Sequence, residues 1–166
     1  MNKDNNEERN PNGNIVIYPP WTFPGNNFPW PIPPYPEEEE KEKYDGKIKS
    51  VSENEFVVVS KDGYLYATGQ QSNKFGIFRL IKLKNGKFKL RQKNGKYIRV
   101  DERDFLVADV DSKNATKFNI YKIESKEYVL KAPNGYYVRV RDKDKALVAR
   151  AENSGKKTRF KFKKED

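Results

Sequence analysis

Glu55-Phe-Val-Val-Val-Ser-Lys-Asp-Gly63-Tyr-Leu, Lys87-Phe-Lys-Leu-Arg-Gln-Lys-Asn-Gly95-Lys-Tyr and Glu127-Tyr-Val-Leu-Lys-Ala-Pro-Asn-Gly135-Tyr-Tyr read as three copies of one phrase. In each, an aromatic residue (Phe56, Phe88, Tyr128) stands seven positions before the glycine and an aliphatic residue (Val58, Leu90, Leu130) stands five before it. Self-similarity at a fixed period is the signature of an architecture assembled from one supersecondary unit, because no single unit can bury its own apolar face.

Working outward from the phrase, alternating runs are punctuated by Asn-Gly, Asp-Gly and charged turns, the pattern of short strands. The second copy predicts strands over residues 88–93, 96–101, 105–110 and 117–123, and the third over 128–132, 136–141, 146–151 and 159–163. The first copy offers 56–60, 64–68 and a last strand over 74–83. Its glycine lies 12 residues from the closing Phe75, against 23 and 25 for Phe118 and Phe160, so its third strand reads as shortened or missing. Alternation assigns Tyr97, Tyr137, Leu106, Leu147, Ala108 and Ala149 to a buried face and Lys and Arg to a wet one. Phe56, Phe88, Tyr128, Phe75, Phe118 and Phe160 recur by repeat position and are assigned to the core. The repeat glycines read as turn residues of positive φ after Asn or Asp. No helix is expected. Three copies of a four-strand unit of about 40 residues make one closed all-β body, a single β-trefoil with its first repeat abbreviated, over residues 46–166.

The chain ahead of it follows different physics. Nine of the ten prolines and both tryptophans lie between Pro11 and Pro36, which forbids helix and spoils a central strand. An extended, Pro-rich N-terminal arm over residues 1–45 is expected instead, with residues 37–43 a solvated charge run near its end. Aromatic residues are scarce in ordinary linkers, yet Tyr18, Trp21, Phe23, Phe28, Trp30 and Tyr35 crowd into 18 residues. Ile15, Val16, Ile17 and Tyr18 form a β-prone run suited to a sheet edge. These residues are the candidate assembly arm.

Charge divides the chain in the same place. Residues 1–45 hold four Lys/Arg and nine Asp/Glu, giving −5; residues 46–166 hold thirty and fifteen, giving +15. A basic domain on an acidic leash attracts polyanions or the leash of a neighbouring copy. The candidate polyanion face comprises Lys96, Arg99, Arg139, Arg141, Arg150, Lys156, Lys157 and Arg159, interrupted by Asp101, Glu102, Asp104, Asp142 and Asp144.

The absence of Cys excludes disulfides and thiolate metal sites, and the absence of His removes the usual general base and the commonest transition-metal ligand. The acidic turns carry their own counter-ions and lack calcium-loop spacing, so no metal, cofactor or catalytic role is expected. The polar N-terminus lacks the apolar core of a secretory signal, and no apolar run approaches the roughly 18 residues of a bilayer span. Cytoplasmic synthesis is expected, followed by assembly in the cell or deposition on a spore or cell surface. Lys- and Asn-heavy usage fits an AT-rich bacterial genome.

Asn94-Gly95-Lys96-Tyr97-Ile98, then Leu106-Val107-Ala108, then Lys117-Phe118 resembles the fascin-like branch of the trefoil fold. Asn134-Gly135-Tyr136-Tyr137-Val138, Leu147-Val148-Ala149 and Arg159-Phe160 repeat the series in order. The resemblance covers the whole basic domain and implies the fold. Fascin itself bundles actin through several tandem trefoils, whereas this chain holds one, and the arm lies outside the resemblance. Ricin-type lectins carry Gln-x-Trp in each repeat; here neither Trp follows Gln by two positions, which excludes that branch and leaves open a glycan site built from Tyr and Asn. The leading expectation is a non-catalytic, self-associating structural protein whose arm docks on a neighbouring trefoil. The alternative is a binding module for an anionic polymer or surface glycan.

Overall fold

The computed structural model describes residues 8–9, 15–16, 40–70, 74–93 and 95–165. Contacts divide the chain into two compact units, residues 1–35 and 36–166. In the first, strands β1 (Glu8–Arg9) and β2 (Ile15–Val16) pair antiparallel, Glu8 opposite Val16 and Arg9 opposite Ile15. The remaining arm residues (Ile17, Tyr18, Trp21, Phe23, Phe28, Trp30 and Tyr35) lie outside the described residues.

The second unit is a β-trefoil of twelve strands: β3 (Glu40–Ser50), β4 (Glu55–Val59), β5 (Leu65–Gly69), β6 (Phe78–Leu83), β7 (Phe88–Gln92), β8 (Tyr97–Val100), β9 (Leu106–Val110), β10 (Asn119–Glu124), β11 (Glu127–Lys131), β12 (Tyr137–Val140), β13 (Leu147–Ala151) and β14 (Phe160–Lys164). Strands β3, β6, β7, β10, β11 and β14 form the barrel, joined by the β3–β6, β6–β7, β10–β11, β11–β14 and β14–β3 ladders and closed by a Phe88–Phe118 bridge. The hairpins β4–β5, β8–β9 and β12–β13 cap one end, linked by the bridges Tyr64–Val107, Phe105–Val148 and Tyr66–Ala146. The only helical pieces among the described residues are three-residue 3-10 turns at Lys74–Gly76, Ser112–Asn114 and Lys156–Thr158, one per repeat. None is long and apolar enough to cross a membrane.

Strand register corrects the reading of the first repeat. Lys49 pairs with Phe56 as Arg91 pairs with Tyr97 and Lys131 with Tyr137, so β3 is the counterpart of β7 and β11. Likewise Val57–Ala67 corresponds to Ile98–Ala108 and Val138–Ala149. The first repeat therefore lacks no strand. The phrase at residues 55–65 spans its second and third strands, whereas the later phrases span the first and second. Gly63 marks this shift. At φ 92° it fills the same left-handed turn position as Asp104 (70°) and Lys145 (65°), one hairpin later than Gly135 (90°).

The core follows from that register. Ile48, Leu90 and Leu130 are equivalent and buried, as are Phe78, Phe118 and Phe160, which fill the barrel centre. Phe75, assigned to the core from the sequence, is 51% exposed because the closing aromatic of the first repeat is Phe78. Tyr97 and Tyr137 are only half-buried: a register shift follows each, turning Ile98 and Val138 inward instead. The displaced rings take a cation on one face, with Arg91 5.8 Å from Tyr97 and Lys131 5.5 Å from Tyr137. Lys49 lies 5.4 Å from the equivalent Phe56.

Candidate functional site: the open mouth of the barrel

The uncapped end of the barrel holds a cavity of about 260 Å³. Its walls come from the first and fourth strands of all three repeats: Leu80, Phe88, Ile120, Tyr128 and Phe162, with Gly46 and Tyr44 from β3 and Lys47, Lys163 and Lys164 at the edge. Its cause is a break in the threefold pattern. Gly46 lies opposite Phe78 as Phe88 lies opposite Phe118 and Tyr128 opposite Phe160, so it occupies the place where the other repeats put an aromatic ring. A Cβ there would fall 2.5 Å from the Lys163 carbonyl oxygen, far inside contact distance. Close approach of β3 to β14 keeps the position bare, and the volume of the missing ring becomes cavity.

The rim is basic. Each fourth strand runs Phe78-Arg-Leu80-Ile-Lys82, Phe118-Asn-Ile120-Tyr-Lys122 or Phe160-Lys-Phe162-Lys-Lys164, so alternation puts Lys82, Lys122 and Lys164 on the barrel-facing side, one step nearer the opening than the apolar wall. Among the described residues none of the three makes an ion pair. Residues 40–45 also run along this rim, paired with β6 across the expected domain boundary at residue 45/46: Glu42 lies opposite Lys82 and Asp45 opposite Arg79. Asp45 accepts two bonds from Arg79, 2.7 Å to Nε and 3.1 Å to Nη2. That guanidinium holds the Asp45 carboxyl below its ordinary range. Tyr44 donates to Glu42, 2.5 Å, which holds its phenol above the ordinary range.

The eight basic residues expected to form a polyanion face are mostly compensated. Arg99 grips Asp109 with two bonds of 2.8 and 3.0 Å, and Arg159 reaches Glu124 (3.2 Å) and Glu127 (3.3 Å). Arg139 lies 3.7 Å from Asp142, and Lys157 bridges Glu53 (2.7 Å) and Asp142 (2.9 Å). Arg150 meets Asp104 at 3.4 Å. Lys96 and Lys156 have no ion pair among the described residues. Arg139, Lys156 and Lys157 share a shallow cavity of about 230 Å³ with Asn153 and Thr158. Arg141 and Arg150 instead converge with Arg103 on the Phe105 ring, at 4.7, 5.8 and 5.3 Å. Among the described residues no group of three acidic side chains is placed to hold a metal.

Arg141 also grips Asp144, Nη2 to Oδ2 2.5 Å. This bond, reinforced by the Ala146 N–H and opposed by partial burial, lowers the Asp144 carboxyl to about 2. Its stabilising effect is complete above the ordinary aspartate range near ~3.9 and lost as pH falls through about 2. In an Arg141→Gln variant the Asp144 titration, followed by NMR, is expected to move up toward the ordinary value; no movement would show that the guanidinium is not the cause.

The sequence reading missed the mouth. The signal was present as the aromatic-x-apolar-x-Lys step of each fourth strand, but assigning Phe75 as the closing residue hid the first example.

A family model for the fascin domain matches residues 52–162. Among solved structures, a designed threefold-symmetric protein, ThreeFoil, superposes with a TM-score of 0.62 at 19% identity, covering 72% of this chain and 97% of that one. The Rhizoctonia solani agglutinin gives 0.61 at 14%, covering 75% and 97%. A mosquitocidal holotoxin gives 0.65 at 13%, covering 74% of this chain and 16% of its own. No curated protein matches the chain in sequence. Twelve strands in trefoil order and a family match spanning most of them lead to one assignment: the chain belongs to the fascin-domain family.

Proposed function

We propose that this protein is a non-catalytic structural component that self-associates, the arm of one copy docking on the trefoil of the next to build a fibre, lattice or surface layer. The observation that carries the reading is the behaviour of residues 40–45. This mixed-charge stretch, the first half of β3, extends beyond the barrel proper along the basic edge of β6, which supports main-chain pairing as a way for the trefoil to take a further extended segment. No described residue runs along the equivalent edges of β10 and β14. The −5 arm supplies more extended, acidic and aromatic chain, and the +15 trefoil supplies the opposite charge. Rigid aromatic and proline residues lose little entropy on docking and make strong anchors. Head-to-tail contact gives a filament if the rotation does not close and a ring if it does.

We place the functional boundary ahead of Glu40, since a cut at Gly46 strips the added strand from β6. Light scattering and electron microscopy are expected to show higher-order species for the full-length chain and a monomer for a chain starting at Pro36. Trp21→Ala with Trp30→Ala is expected to weaken assembly while leaving thermal unfolding of the trefoil unchanged. A full-length chain that stays monomeric at high concentration and low salt would sink the proposal.

A second reading, a glycan- or polyanion-binding module, draws support from the likeness to a trefoil agglutinin and from the cavity shared by Arg139, Lys156 and Lys157. Compensation of most of the basic face weighs against the polyanion version. Retention on heparin resin tests it: binding lost steeply with salt fits a polyanion, and no binding at low salt removes that version.

A further inference from the structure

We infer that the mouth of the barrel is the receptor for the aromatic–acidic part of the arm, residues 21–39, with an arm ring in the cavity beside Gly46 and the carboxylates of residues 37–39 on the lysine rim. The inference rests on the arm-docking reading above, but not on the arm belonging to a neighbour. Three observations converge on this occupant.

The first is the apolar wall of Leu80, Phe88, Ile120, Tyr128 and Phe162 around a space that two repeats fill with their own rings and the third leaves bare. Water against such a wall costs free energy in proportion to the area exposed. Gly46 cannot itself supply a side chain, because its Cβ would strike the Lys163 carbonyl. A ring must come from elsewhere, and the arm concentrates six of them in 18 residues.

The second is charge. The described trefoil pairs most of its candidate-face arginines, yet leaves Lys122 and Lys164 without an ion pair at the open end of the barrel, Lys164 lining the cavity itself. An acidic run follows directly on the aromatic segment: Tyr35-Pro-Glu37-Glu-Glu-Glu40. The third is a precedent within the molecule. The residues that follow, 40–45, already pair by backbone with β6 at this rim in repeat one, with Glu42 opposite Lys82 and Tyr44 lining the cavity. The equivalent lysines, Lys122 and Lys164, lack that cover among the described residues.

Intrinsic fluorescence tests the contact in the full-length protein, because both tryptophans, Trp21 and Trp30, are in the arm. The test variant is Lys122→Glu with Lys164→Glu; both side chains are exposed and free of ion pairs, so thermal unfolding serves as the control for folding. We expect indole emission to shift to longer wavelength, acrylamide quenching to rise several-fold and the assembled species to be lost. Adding Glu37→Lys, Glu38→Lys and Glu39→Lys to the same chain should restore all three. Unchanged emission and assembly in the lysine variant would overturn the mouth as receptor and leave arm-driven assembly standing with another site. Failure of the charge swap to restore docking would overturn the contact as well, assigning the effect to net charge. A wild-type monomer whose tryptophans are protected until the lysines are reversed would support the mouth and overturn docking onto a neighbour. Wild-type tryptophans that are fully water-exposed, even when the chain is concentrated, would overturn the mouth inference.

Discussion

Phe118→Ala is expected to lower the unfolding free energy by about 3–5 kcal/mol, the range for a buried aromatic ring cut back to Ala. Phe118 is fully buried, and with Phe78 and Phe160 it fills the centre of the barrel. Its backbone also makes the reciprocal bonds with Phe88 that close the barrel between β7 and β10, 2.8 and 2.7 Å. Removing the ring leaves a cavity within the shared core, beside the Phe88–Phe118 bridge that closes the barrel. Phe75→Ala is the matching control. The sequence alone ranks the two residues as equivalent, whereas the structure leaves Phe75 half in water, so its loss should stay within about 0.5 kcal/mol. Urea unfolding with unchanged slope measures both. Equal losses at the two positions would mean that the first repeat closes on Phe75 after all.

That contrast also locates what the sequence could and could not convey. Periodicity and turn chemistry carry the fold, because every trefoil repeat must present the same apolar steps to a shared axis. Leu106, Ala108, Leu147 and Ala149 are buried where alternation puts them. Tyr97 and Tyr137 depart from it because a bulge is a local shift of register that period-two counting cannot register. The first repeat was misaligned for a related reason. The glycine in Asp62-Gly63 mimics Asn94-Gly95 and Asn134-Gly135, yet it fills a turn where the other repeats use Asp104 and Lys145. Left-handed backbone is required at that turn, and glycine is only one way to meet it. The mouth was hidden because it arises from a missing side chain. Nothing in the local sequence of Gly46 marks it as the counterpart of Phe88 and Tyr128 until strand pairing aligns the three.

Asp101→Ala is expected to cost about 2–3 kcal/mol although it removes no apolar surface. Asp101 is a carboxylate buried at the cap, 7% exposed. One oxygen accepts the backbone N–H groups of Arg103 and Phe105, each at 2.9 Å, and the other accepts the Tyr64 hydroxyl at 3.0 Å. It therefore both shapes the β8–β9 turn, which needs Asp104 at positive φ, and ties the cap hairpin of the first repeat to that of the second. Burial alone would push the carboxyl up. The Phe105 and Arg103 N–H groups and the Tyr64 hydroxyl outweigh it and hold the acid below its ordinary value. The stabilisation is thus complete above the ordinary aspartate range near ~3.9 and disappears as pH falls through the lowered value. Asp101→Asn keeps an oxygen for the two N–H groups but carries no charge to titrate, so it should lose about 1 kcal/mol at neutral pH. It should also show a shallower fall in stability on acidification. Tyr64→Phe removes only the hydroxyl and should be strongly non-additive with Asp101→Ala, since both delete the same bond. Additive losses in that cycle, or an acid limb unchanged in Asp101→Asn, would show that the two hairpins are joined by their backbone bridge and packing and that the carboxylate serves only its own turn.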